Sequence, residues 1–212
     1  MTTTLTREVP AVAFTRPAHA STVERTADAL RARGFDVAVA GTRDEAKRLV
    51  LDRIPEGSEV NTGASVTLGE LGILDEVEGS GRYNALRPHA FKLDRVAQAR
   101  EIRKLTGTPD TFLASAAALT EDGRVLIASA SGSQVGPIAS GAGRVILVIG
   151  VQKVVANLDE AYRRLNEHVF PLEDARAQSA YGMGSAINQT LVLNAGGRGR
   201  ISVVLVPEAI GF

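Results

Sequence analysis

Residues 59–70 (EVNTGASVTLGE) read as a strand entering a Gly-Ala-Ser turn and then a helix start at Thr67. Backbone N–H groups left free at such a turn attract an anion, and the hydroxyls of Ser65 and Thr67 add donors. The spacing is neither that of a Walker A loop nor that of a GxGxxG fingerprint, and Thr67 with Glu70 also fits an ordinary capping box. A second segment, residues 150–155 (GVQKVV), places Lys153 just after the most apolar run of the chain. A lysine at the carboxyl end of a strand in an open α/β sheet can meet a phosphate or carboxylate, although a plain surface lysine fits the pattern as well. Ser131-Gly132-Ser133-Gln134 is another strand-to-helix turn with N–H groups to offer, or a simple serine cap. Thr120-Glu121-Asp122-Gly123 bunches two carboxylates, suited to acid–base work or a hard cation, but equally to a turn. His19, His89 and His168 share no metal-ligand spacing. His89, ahead of Phe91, is the one nearest a pocket rim, and His168 falls late in a helix with no catalytic role assigned.

Composition narrows what these groups can serve. The 212 residues carry 24 Lys plus Arg and 24 Asp plus Glu, so no global field draws the protein to nucleic acid or anionic lipid. Cysteine is absent, which removes disulfides, thiol nucleophiles, Cys-ligated zinc and a self-held iron–sulfur cluster. The apolar stretch 11–14 is too short for a signal-peptide core, and the run 145–151 is far below the ~18 residues of a membrane span. A soluble, cytoplasmic protein is expected, with an N-terminal segment over residues 1–18 and one domain over residues 19–212. A chain of this size can bury about 70% of its extended surface, enough for a core without staples.

The elements that must position the site follow from periodicity. Helices are predicted at 21–34, from Thr42 to Ile54, around 68–77, at 93–105 and from Asn157 to Val169, and 131–142 could start a further one. Apolar runs at 35–40, 58–62, 111–119, 124–129, 144–151, 189–193 and 200–206 read as strands, and 79–91 as a surface loop. Residues 144–151 are apolar on both alternations, the mark of a strand covered on both faces of a parallel sheet. Asp122-Gly123 is hairpin-turn chemistry, so an antiparallel pair is expected there. The alternation defines an α/β fold with a largely parallel sheet and one antiparallel hairpin.

Taken together, NTGASVTLGELGIL, TFLASAAALTEDGRVL, RVILVIGVQKVVANLDEAYRRL and RISVVLVPEAIGF resemble the lactate-utilization (LUD) domain family, the LutC- and YkgG-like proteins, from about Ala20 to Phe212. Gly63, Ser65, Thr67, Glu70 and Gly72 match the family's first motif. Ala118, Thr120, Glu121, Asp122 and Gly123 match its hairpin, and Gly150, Lys153 and Val154 its strand end. Gly132 and Val135 match a third turn in which Ser133 and Gln134 replace Asn and Arg, and Gln152 stands where Asn is usual. Many short members carry a cysteine cluster where this chain has Tyr181-Gly182-Met183-Gly184-Ser185, so any metal or cluster role of those thiols is lost here.

The resemblance implies a three-layer α/β/α sandwich similar to sugar-phosphate isomerases, CoA transferases and formyltetrahydrofolate cyclo-ligases. It also implies a part in oxidising L-lactate to pyruvate, as one component of a system whose iron–sulfur subunits are separate chains. Asn61, Gly63, Ser65, Thr67, Thr120, Gly132, Ser133, Gly150 and Lys153 are the expected ligand-binding positions. Lys153 would neutralise an anionic metabolite, with Glu70 or Glu121 as base. No motif identifies a cofactor or a metal. Catalysis by the chain alone, a docking role without catalysis, action on a phosphorylated or CoA-linked metabolite, and self-association are left open.

Overall fold

The computed structural model describes residues 14–197 and 199–212. Six parallel strands form the main sheet: β1 (Asp36–Val39), β2 (Glu59–Thr62), β3 (Asn84–Ala85), β4 (Thr111–Ala114), β7 (Arg144–Gly150) and β10 (Ile201–Val206), in the order β1-β10-β7-β4-β2-β3. The doubly apolar strand 144–150 therefore lies inside the sheet, registered with β10 through Val145–Ile201 and with β4 through Val145–Phe112. Its Val145, Leu147 and Ile149 pack with Val23, Ala27 and Leu30 of α1 (Ala20–Ala32). Its Ile146 and Val148 join Ala46 and Val50 of α2 (Arg43–Leu51), Leu68 of α3 (Val66–Glu70) and Ile73 and Val77 of α4 (Ile73–Gly79). A strand with both faces in a core has no polar alternation to show.

A second sheet of four strands, β8-β5-β6-β9, comprises β5 (Ala118–Thr120), β6 (Val125–Ser129), β8 (Val154–Val155) and β9 (Gln189–Leu193). The antiparallel β5–β6 hairpin forms as expected, and β6 also pairs antiparallel with β9. Leu119, Val125 and Ile127 contribute to the core that α1 covers. Ala118 and Leu126 face the other way, toward Ala161 of α7 (Leu158–Arg164) and Leu165. Asn157 caps α7 by accepting from Glu160 N at 3.0 Å, and the helical path continues through a π-turn, Leu165–Val169, into α8 (Phe170–Tyr181).

Three readings need correction. The surface loop at 79–91 contains β3 and α5 (Leu86–Ala90): Leu86 is buried, and Pro88 falls in a first turn where no N–H is needed. The helix over 93–105 shrinks to α6 (Ala99–Gly107), because the Asp94 carboxylate accepts from Val96 N and Ala97 N and closes a separate turn that leaves Val96 90% exposed. The single run 111–119 is two strands in different sheets, broken at residues 115–117.

Candidate functional site

That break positions the site. β4 and β7 are neighbours in the main sheet, and β5 and β8, which continue them, are neighbours in the second. The chain thus crosses from one sheet to the other twice, side by side, through residues 115–117 and through the 3-10 turn Val151–Lys153. Beside them, β2 ends in Gly63-Ala64-Ser65 and enters α3. The carboxyl ends of β2, β4 and β7 therefore converge, which is where open α/β sheets place ligands.

Lys153 spans this junction. Its Nζ donates to Thr67 Oγ1 and Ser115 Oγ, each at 3.0 Å, and lies 3.4 Å from Ala116 O. Ser115 Oγ donates in turn to Val148 O at 2.7 Å, and Thr67 Oγ1 to Ile210 O at 3.4 Å. The side chain is 1% exposed, and its hydrogen-bonding neighbours are neutral oxygens. Burial, then repulsion from Arg164, pull the amine down to about 7 against a weaker opposing pull from Glu70. Arg164 is itself fully buried. It donates to Ala117 O through Nη1, whereas Nε and Nη2 have no hydrogen-bond partner among the described residues. His168, one helical turn on, is buried too, and burial together with Arg164 and Lys153 pushes its imidazole down to about 4.

The junction opens on a cavity of about 690 Å³. Asn61, Gly63, Ser65, Thr67, Ser133 and Lys153, six of the residues expected from sequence, line it together. Ser65 is the N-cap of α3, accepting from Leu68 N at 3.3 Å, in place of the Thr67–Glu70 capping box. Asn61 ties β2 to α6, donating to Thr106 O at 3.1 Å. Gly63 approaches Gln134, whose Oε1 would lie 3.2 Å from an added Cβ, while Gln134 Nε2 donates to Ala128 O. The charged side chains of the lining are one-sided: Lys153, Arg87, Arg95, Arg103 and Arg176 against one acidic side chain, Glu173. Glu173 is paired with Arg176 at 2.7 Å and Arg87 with Glu78 at 3.3 Å, but Arg95 and Arg103 have no acidic partner among the described residues. Phe91, 54% exposed at the mouth, has the Arg87 and Arg95 guanidinium carbons 5.2 and 5.6 Å from its ring centre. Ala99, Ile102 and Thr106 turn the inner face of α6 to the cavity, and Tyr181, Met183, Gly184 and Ser185 form another part of the wall.

The remaining sequence candidates are not among the lining residues. Glu70 accepts from Gly211 N at 3.0 Å, and Glu121 pairs with Arg25 at 3.7 Å. Thr120 and Asp122 hold the hairpin turn: the Asp122 carboxyl pairs with Arg124 at 2.8 Å and Arg33 at 3.2 Å, and Arg124, with Thr120 and Arg33, keeps it below the usual carboxylate range. Gly132 has φ +77° with the Gln189 amide against it, and a Cβ on Gly150 would strike Gln152, whose Nε2 donates to Ile210 O at 2.8 Å. His89 is exposed and outside the lining. Sequence reasoning missed Ser115, hidden as a lone hydroxyl in an apolar run, and the four arginines, three of them in residues 87–103 and the fourth on α8, which belong to no recognisable motif. Among the described residues no cluster of His, Asp or Glu has the makings of a metal site, and no helix is long and apolar enough to cross a membrane.

A parallel sheet covered on both faces, with a basic cavity at the carboxyl ends of its inner strands, defines an α/β protein whose cavity lies where open α/β sheets place ligands. The profile of the LUD domain family matches residues 23–206, and the chain belongs to that family. Among solved structures, a DUF162 family protein from Deinococcus radiodurans has the same fold. It matches at a TM-score of 0.55 and 12% identity, covering 90% of this chain and 99% of that one. None of the curated proteins compared matches the chain.

Proposed function

We propose that this protein serves lactate utilization in the cytoplasm by binding, in its basic cavity, a small organic acid of the 2-hydroxy or 2-oxo class. One observation carries the reading: in a chain with formal net charge zero, five basic side chains and one acidic side chain line a single cavity. Arg95 and Arg103, with no acidic partner among the described residues, supply the fork that matches a carboxylate bidentately. Lys153 lines the same cavity, its Nζ held by three neutral oxygens, and adds positive field when it is protonated. Oxidation of lactate to pyruvate releases two electrons. With no cysteine in the chain, an iron–sulfur centre receiving them would belong to a partner subunit.

The volume favours a second ligand class. About 690 Å³ lies in the range of sites that enclose drug-sized molecules, and far exceeds what a three-carbon acid fills. A phosphorylated acid would use the same arginines and more of the space. A thermal-shift screen separates the two: a ligand at a hundred times its Kd adds ~2.7 kcal/mol of apparent stability. A shift with lactate, glycolate or pyruvate supports the first reading, and a shift confined to phosphorylated acids the second. Arg103→Ala should remove either shift, and its persistence in that variant would place the ligand elsewhere.

A further inference from the structure

We infer that Lys153 is an amine nucleophile, its Nζ condensing with the carbonyl of an acidic ligand held in the cavity to form an imine. The inference rests on the reading of the cavity as an acid-binding site and names the reacting group of the ligand, an aldehyde or 2-oxo function.

The choice of residue is the first support. The chain uses twenty arginines and four lysines, Lys47, Lys92, Lys104 and Lys153, and Lys153 alone of the four is buried. Wherever a cation is to pair or fork with an oxyanion, this sequence writes arginine; the position inside the junction holds a group that can exist as a neutral amine instead. Its surroundings favour that form. No acidic side chain pairs with Nζ among the described residues, and the buried guanidinium of Arg164 lies within its field. Desolvation beside a second cation is a recognised way to activate a lysine for carbonyl chemistry.

Two hydroxyls stand ready to relay protons: Ser115 Oγ and Thr67 Oγ1, each 3.0 Å from Nζ, both line the cavity and can turn their own protons from Val148 O and Ile210 O toward a ligand oxygen. The Nζ lone pair forms the C–N bond as the carbonyl π electrons move to oxygen. The two amine protons pass through the hydroxyls to that oxygen, which leaves as water, and the nitrogen lone pair closes the C=N bond. Nothing is oxidised or reduced, so the step needs no electron acceptor. The arginines of the lining would hold the acid group while the carbonyl meets Nζ.

The test treats the full chain with glyoxylate or pyruvate and cyanoborohydride, which reduces an imine to a stable secondary amine, and maps the modified lysines by peptide mass spectrometry. Modification is expected at Lys153 ahead of Lys47, Lys92 and Lys104, rising as pH increases through about 7, where the buried amine becomes neutral. Ser115→Ala, which keeps the amine, should slow the labelling without abolishing it. Labelling spread over the surface lysines, or absent from Lys153 at every pH while the same acids raise the melting temperature, would overturn the imine and leave the acid-binding reading intact. Absence of both labelling and thermal shift would overturn the two together.

Discussion

Lys153 bears on stability as well as on chemistry. Unfolded, its amine titrates near the ordinary 10.5, and in the folded protein at about 7. Between those values the unfolded chain holds more protons, so stability rises with pH across that window, and the cost of burying the charge is fully present below it. Comparing urea midpoints of the wild type and Lys153→Met should show wild-type stability gaining on the variant from pH about 7 to 10.5, and a constant difference below. His168, lowered from 6.5 to about 4, works in the same sense at lower pH: stability falls as pH drops through that interval, and His168→Phe should flatten the slope there. Although a plain surface lysine fits the position just past a doubly apolar strand equally well, Lys153 was at least visible in the sequence as a candidate. Ser115 and Arg164 were not. A hydroxyl among alanines and an arginine in an amphipathic helix look ordinary until another element is folded against them.

Elements with caps and one buried face were the most readable. Thr42 and Asn157 cap α2 and α7 as their spacing implies, through bonds to Glu45 N and Glu160 N at 3.1 and 3.0 Å. Periodicity failed where an apolar face serves a cavity. The stripe of α6 contains no buried residue, and Ala99 and Ile102 border open space. A helix so weakly anchored opens cheaply, so its amides should exchange hydrogen far faster than those of β7 and slow when an acid ligand is added, as mass-detected exchange can show. The β5–β6 hairpin is the opposite case. Gly123 has φ +84°, and a Cβ there would lie 2.8 Å from the backbone of Ala29 and Leu30 in α1. Gly123→Ala should therefore cost at least the ~1–3 kcal/mol of left-handed backbone strain, read as a lower urea midpoint at unchanged slope.

At the scale of the molecule, zero net charge with a basic cavity means that salt acts locally. Screening over about 10 Å at 0.1 M should weaken acid binding as ionic strength rises, while the melting temperature of the ligand-free protein moves little. A salt-independent Kd would show that the arginines do not hold the ligand. The parallel sheet and its inner strand could be read from the pattern of residues 144–150. The second sheet could not, because β8 is two residues long and the run 111–119 gives no sign of changing sheets. The two side-by-side crossings that create the site have a consequence for anyone recombining this protein with a relative. Three of the four strands of the second sheet are excursions launched from β4 and β7, and the fourth comes in from α8 on the way to β10. No contiguous stretch of the chain contains that sheet and nothing else. A chimera with a single junction inside residues 118–193 must therefore assemble the second sheet from two parents, and viable exchanges should cluster upstream of β4, where the donor brings whole strand–helix units.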